Sequence, residues 1–167
     1  QSGGAFGFRD QLQDCIGMKF IDEEFLRKQI INCASHQFME GDVLHWWHED
    51  TKKGIRTKIS DDLLWLVYAV IEYVEFTGDI DFLNEEVEYL KGDLLQDEED
   101  EKYSVYYKSD VKESVFNHCK RSINKVIKSG IERFPKIGTG DWNDGFNKLG
   151  EKGQGESIWL GFFLYDI

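Results

Sequence analysis

The chain has 167 residues, a net charge of −12 at pH 7 and 41% hydrophobic residues. That is enough for one globular unit with a core. The acidic surplus argues against nucleic acid or an anionic membrane surface as partner, because phosphate backbones are bound by an excess of Lys and Arg.

Three widely spaced cysteines, Cys15, Cys33 and Cys119, form no CxxC pattern. They read as reduced, buried thiols of a reducing compartment. No signal-peptide pattern is visible at Gln1, and no apolar run reaches membrane-spanning length. The chain does not begin with Met and stops at Ile167 inside an apolar run, which suggests a fragment of a longer enzyme.

Residues 1–7 read as a small, flexible lead-in. The polar stretch Phe8-Arg9-Asp10-Gln11-Leu12-Gln13-Asp14 is either a helix start with solvated charges or a ligand-facing rim, and a short helix is predicted over about 11–18. Asp22 caps an amphipathic helix predicted to run to about residue 38. Its apolar face is Phe25, Leu26, Ile30, Ala34 and Phe38, and Glu23 and Glu24 suit the dipole of its first turn. Gly41-Asp42-Val43-Leu44-His45-Trp46-Trp47-His48 reads as a loop. His45 and His48 have metal-ligand spacing, but no third ligand follows at a sensible interval. The two tryptophans between histidines fit the lining of a sugar site better.

Ser60 or Asp61 is a natural N-cap for a helix over 62–76 that is apolar nearly all round, with Gly78 as its stop. Acids at the N-terminus of so buried a helix face the interior or a cleft. A shorter helix is predicted over 80–90, a solvated acidic loop over 97–101 and a short strand over 103–107. Residues 111–129 read as a helix with Val115, Cys119, Ser122, Val126 and Ile127 inside and Gly130 as the stop. Pro135 opens a glycine-rich loop, and Gly155-Glu156-Ser157 starts a last apolar helix. About six helices and no βαβ rhythm predict an all-α chain whose unusual residues sit in loops.

The most unusual loop is Gly138-Thr139-Gly140-Asp141-Trp142-Asn143-Asp144-Gly145. The glycines permit tight turns and close approach to a ligand. Two carboxylates beside an indole suit a sugar-processing site: the ring is an apolar floor for the sugar, and the acids bind hydroxyls or protonate a leaving oxygen. An ordinary Asp/Asn/Gly turn around a buried Trp is the plainer alternative.

This motif occurs in order with Gly4-Ala5-Phe6-Gly7 and the following polar stretch, Gly41-Asp42 with His45-Trp46-Trp47-His48, and Gly54-Ile55-Arg56-Thr57 with Ser60-Asp61-Asp62-Leu63-Leu64-Trp65-Leu66. Thr77-Gly78-Asp79 and Gly155-Glu156-Ser157-Ile158-Trp159-Leu160 complete the set. Together they resemble glycoside hydrolase family ninety-four, nearly from end to end. The resemblance implies about half of an (α/α)6 barrel, so that residues 1–167 would be a partial catalytic domain. It implies inverting phosphorolysis of a β-glucoside to α-glucose 1-phosphate, of β-1,2-glucan or cellodextrin type. By the family pattern Asp144 is the general acid. Trp142 and the stretch from Arg56 to Asp62 line the donor-sugar subsite, and Arg9 and Asp10 lie near the same cleft.

The other expected sugar-site residues are Asp61, Asp62, Asp141 and Trp47. Asp141, by its charge, and Trp142, by desolvation, are expected to keep Asp144 protonated. No cofactor or metal is expected beyond inorganic phosphate as co-substrate, and the family's phosphate-binding groups should lie beyond Ile167. The expected partners are an oligosaccharide and phosphate, with no nucleic acid and no evident membrane. The resemblance is compatible with a homodimeric parent enzyme in the cytoplasm, and a membrane-bound synthase parent stays open. The competing readings are an inverting hydrolase with a second carboxylate as base, and a non-catalytic carbohydrate-binding fragment.

Overall fold

The computed structural model describes residues 3–129 and 133–167. Five α-helices are found among them: α1 (Phe8–Met18), α2 (Glu23–Ala34), α3 (Asp62–Thr77), α4 (Val115–Lys128) and α5 (Ile158–Asp166). Six strands accompany the helices: β1 (Phe6–Gly7), β2 (Leu44–His48), β3 (Lys53–Thr57), β4 (Glu86–Lys91), β5 (Glu101–Val105) and β6 (Tyr107–Ser114). They form two antiparallel sheets, a four-stranded one in the order β1-β2-β3-β5 and a β4-β6 pair.

The all-α half-barrel expectation is therefore overturned: the fold mixes helices with two sheets. The stretch around His45-Trp46-Trp47-His48 is strand, not loop, and Gly54-Ile55-Arg56-Thr57 is its hairpin partner. A bulge between Leu44 and Trp46 breaks the alternation by which a strand is read. The segment predicted as a helix over 80–90 is a 3-10 turn, Ile80–Asn84, followed by β4. The segment 111–114 extends β6, and α4 begins only at Val115. Glu alternates with apolar residues along β4, and β6 is mostly polar and charged, so over so few residues either also fits a charged helix.

The helices α2 and α3 form with the end signals expected of them at Asp22 and Gly78. The Asp22 side chain accepts the Phe25 N–H, so it caps α2, although α2 ends at Ala34 rather than near residue 38. Gly78 closes α3 with φ of 74°, and its N–H reaches the Val74 carbonyl. Ser114 and Ser157 cap α4 and α5 by accepting the N–H groups of Asn117 and Leu160. Val115, Cys119, Ser122 and Val126 are buried on α4, whereas Ile127 is exposed. The proposed stop at Gly130 lies outside the described residues.

The core is built around α3, which packs against α1, α2 and α4. Leu63, Leu64, Leu66, Val67, Ala69, Val70 and Tyr73 are buried along it. Each such aliphatic side chain contributes roughly 1.5–3 kcal/mol by leaving water. Burial on most sides is what a helix apolar nearly all round requires. Its first residue, Asp62, is buried with it. Cys15, Cys33 and Cys119 are free and buried, and burial pushes all three thiols above the usual range. Among the described residues no helix is long and apolar enough to cross a membrane.

The glycine-rich loop is stitched by its backbone to the connection between β3 and α3. Thr139 N–H reaches the Lys58 carbonyl and Ser60 N–H reaches the Gly140 carbonyl, while Ser60 Oγ donates to the carbonyls of Ile137 and Gly140. Gly138 makes this approach possible: its φ is +62°, and a Cβ there would sit 1.9 Å from the Lys58 carbonyl oxygen. Gly17, inside α1, has open space at the same position. Thermal unfolding of the two alanine variants should diverge. Gly17→Ala should gain about 0.5–1 kcal/mol from lower chain entropy, and Gly138→Ala should lose more than that. Equal shifts would mean the loop is not held by this contact.

Candidate active site

Arg9 is the second residue of α1 and is buried where α1 meets α3 and the glycine-rich loop. Its Nη1 donates to both oxygens of Asp61, at 3.2 and 3.1 Å, and to the Asp141 carbonyl at 3.4 Å. Its Nη2 donates to both oxygens of Asp144, at 3.0 and 3.2 Å. One planar guanidinium thus joins residues 52 and 135 positions away. Charge-assisted bonds of this kind are the strong ones.

Asp61 occupies the N-cap position of α3 but does not cap it. Its carboxylate instead accepts from Arg9 and from the Trp65 indole Nε1–H at 3.0 Å, one helical turn along. Asp62 is 1% exposed. Its Oδ2 meets His45 Nδ1 at 2.7 Å, while Oδ1 is buried with no hydrogen-bond partner. Buried polar atoms are nearly always hydrogen-bonded, so this oxygen stands ready to accept from a bound group. His45 comes from β2, where the bulge falls, and its Nε2 stands 3.9 Å from Asp144 Oδ2.

Three carboxylates, Asp61, Asp62 and Asp144, thus crowd one guanidinium and one imidazole. Burial pushes the Asp61 carboxyl up and the Asp62 charge adds to it. Arg9 and the Trp65 indole oppose this, and the result is about 6. Burial acts to lower the pKa of Arg9, but Asp61, Asp62 and Asp144 outweigh it and hold the cation more firmly than usual. Burial likewise acts to lower the pKa of His45. The hydrogen bond and charge of Asp62, helped by Asp144, prevail over burial and over Arg9, and the imidazole is raised.

The remaining members of the loop divide by environment. The Asp141 carboxylate is turned inward: it accepts from Ser157 Oγ at 2.6 Å and from the Asn143 N–H at 3.0 Å. Since Ser157 also caps α5, this ties the loop to the start of that helix. Asn143 accepts the Gly145 N–H and closes the turn. Trp142 is 56% exposed, so its ring is an open apolar surface rather than a buried turn residue. The Asp144 side chain is 49% exposed, with one side on Arg9 and the other open to solvent.

The other sequence-predicted residues stand apart from this cluster. The buried Arg56 lies over the Phe38 ring at 3.8 Å and donates to Asp42 at 2.6 and 2.8 Å, Glu40 at 3.0 Å and the Asp93 carbonyl at 2.9 Å. Trp47 is buried, stacked on His36 at 3.9 Å between ring centroids, with its indole N–H on Glu49. Asp10 is exposed and lines a shallow groove of about 290 Å³ with Phe6, Gln11 and Asp14. His45, Trp65 and Ser157 belong to the constellation and were not singled out for it. The four-residue spacing of Asp61 and Trp65 was a usable signal. His45 could be placed only once β2 was seen as a strand.

Removing Arg9 tests the cluster. Arg9→Met leaves Asp61 buried without its cation, and breaking such a pair costs about 3–5 kcal/mol. The Asp61 carboxyl should then rise above its present value. That folded value already exceeds an unfolded Asp value near ~3.9, so the folded state binds the proton more tightly. Stability is therefore recovered as pH falls through the folded pKa and withdrawn as pH rises through it. Melts of the variant and the parent should show a smaller deficit near about pH 5 than near about pH 8. An equal deficit at both would separate Asp61 from Arg9.

Comparison with known proteins gives one consistent family. A family model described as the glycosyl hydrolase 94 superfamily, catalytic domain, matches residues 1–167. The cyclic beta-(1,2)-glucan synthase NdvB of Rhizobium meliloti is 46% identical over 168 residues, covering 98% of this chain and 6% of that protein. The solabiose phosphorylase of Paenibacillus borealis is 30% identical over 160 residues, covering 95% of this chain and 18% of that protein. The cellobionic acid phosphorylase of Neurospora crassa is 29% identical over 157 residues, covering 91% and 18%. The chain thus spans less than a fifth of the length of these curated relatives. The match runs through every motif that meets at Arg9, and the chain belongs to the glycosyl hydrolase 94 superfamily, within its catalytic domain.

Proposed function

We propose that residues 1–167 are part of the catalytic domain of a longer inverting phosphorylase. It would act on a β-linked oligosaccharide with inorganic phosphate and release α-glucose 1-phosphate. Family membership supports the reaction class. The observation that carries the site is the convergence of Asp61 and Asp144 on Arg9, with the unpartnered Asp62 oxygen beside them. The higher identity to a protein named as a cyclic beta-(1,2)-glucan synthase, 46% against 30% for the solabiose phosphorylase, favours a β-1,2-glucan as substrate.

In this reading Asp144 is the general acid. Its open side faces solvent where a glycosidic oxygen would lie, and the exposed Trp142 ring two residues away offers a floor for a sugar face. Asp62 Oδ1 accepts a sugar hydroxyl, which satisfies its buried lone pairs. Asp144 gives its proton to the glycosidic oxygen as the bond to the anomeric carbon breaks. That bond's electron pair stays with the departing oxygen. A phosphate oxygen forms the new bond from the opposite face, inverting the centre. Phosphate is already anionic, so no second carboxylate is needed as a base, in contrast to an inverting hydrolase.

Kinetics of the full-length enzyme test the assignment. Asp144→Asn keeps the size of the side chain and removes the proton. Phosphorolysis of an unactivated β-glucan should fall about a hundredfold to ten-thousandfold. A nitrophenyl β-glucoside, whose leaving group needs little protonation, should be far less affected. Asp141→Asn should alter stability or binding without this leaving-group signature, because Asp141 is engaged with Ser157. If Asp144→Asn turns over both substrates at parental rates, or product forms equally without phosphate, the reading fails.

A further inference from the structure

His45 has no part in the reaction as described so far, yet it is the only imidazole at the acid cluster among the described residues. Its two nitrogens are not equivalent. Nδ1 lies 2.7 Å from a buried oxygen of Asp62, an acceptor, so Nδ1 keeps its hydrogen in either charge state. Nε2 points at Asp144 Oδ2, 3.9 Å away. When His45 is neutral, Nε2 offers Asp144 a lone pair. When it is protonated, Nε2 offers a proton. The distance is longer than a hydrogen bond but within reach of one bridging water or a small shift of the half-exposed Asp144 side chain. Apo geometries of catalytic pairs are often this loose.

The groups facing His45 come from three other elements: Asp62 on α3, Arg9 on α1 and Asp144 on the glycine-rich loop. Arg9 can balance only one of the three carboxylates, so a proton held at His45 balances a second. We propose that His45 is a positioning residue for the general acid, reloading Asp144 with a proton through Nε2 while Asp62 fixes its tautomer. The proposal rests on Asp144 being the acid. After Asp144 has protonated the departing oxygen it is a carboxylate. The Nε2–H bond of the imidazolium then breaks, its proton bonds to Asp144 Oδ2, and its electron pair stays on Nε2. Neutral His45, still donating Nδ1–H to Asp62, takes a replacement proton from solvent. The same pair runs backwards in synthesis, when Asp144 accepts a proton from an acceptor hydroxyl and passes it to Nε2.

A role through proton delivery predicts a pH effect that a merely structural role would not. His45 carries its proton below its raised pKa and loses it above, so it sets the alkaline limb of kcat. In the full-length enzyme, His45→Gln retains a hydrogen-bonding group but cannot titrate. With a β-glucan and phosphate, kcat should fall about tenfold or more, KM should change less than about twofold, and the alkaline limb should move or vanish. Imidazole should restore part of the rate to His45→Ala. The unsubstituted enzyme supplies a test that needs no folded variant: the midpoint of its alkaline limb should shift with temperature as an imidazole does. A midpoint that hardly moves with temperature, as for a carboxylate, overturns the proposal. So does a His45→Gln variant with an unchanged pH profile. If Asp144→Asn lacks the leaving-group signature, the functional reading itself fails. If Asp144→Asn shows that signature while the His45→Gln profile is unchanged, only the role of His45 falls.

Discussion

The buried guanidinium of Arg9 is the constraint on which the rest of this structure depends. A charge taken out of water must be paired and hydrogen-bonded or it costs several kcal/mol. Arg9 is satisfied by groups from two distant segments, Asp61 at the head of α3 and Asp144 in the glycine-rich loop. Neither can move without leaving the cation short. The ion pair thus couples the placement of α1, the registry of α3 and the position of the loop that holds Asp144. The same pairing brings the carboxylates of Asp61 and Asp144 together on one cation.

A second tier of bonds keeps that contact in register. The connection between β3 and α3 accepts the glycine-rich loop edge to edge, through Lys58, Ser60, Thr139 and Gly140. Asp141 turns away from the cluster to bind Ser157, which caps α5. The two acids of one short motif therefore do different work: Asp141 anchors the loop, and Asp144, half open, faces solvent. Arg56 performs a comparable anchoring task at the sheet, where Asp42, Glu40 and the Asp93 carbonyl occupy its donors. Trp47 is committed to packing against His36 and Phe8.

Burial and the neighbouring charge of Asp62 make ionisation of the Asp61 carboxyl costly. Asp61 accordingly sits at about 6, and His45 is raised by Asp62 and Asp144 against its burial.

Helix ends that rest on local chemistry were legible in the chain alone. Asp22 caps α2, Ser157 opens α5, Gly78 is a left-handed stop, and α3 is buried over most of its length, because caps and periodicity act over a few residues. The family was legible there too, since several motifs in order carry more information than any one. Apart from a short strand expected over 103–107, which falls on β5 and the start of β6, the sheets were not legible. Short strands rich in Trp, His, Glu and Lys, with a bulge at the one diagnostic alternation, look locally like loops or charged helix faces. Strand pairing is a non-local event that no single segment announces. The site was half legible. Asp61, Asp62, Trp142 and Asp144 stand out by type and spacing. That Arg9 would bind Asp61 and Asp144, that Arg56 would be occupied elsewhere, and that His45 would stand between Asp62 and Asp144 depend on contacts spanning up to 135 positions. Only the folded chain brings those atoms within hydrogen-bond distance, and only there does burial decide which charge is paired and which group is left to titrate.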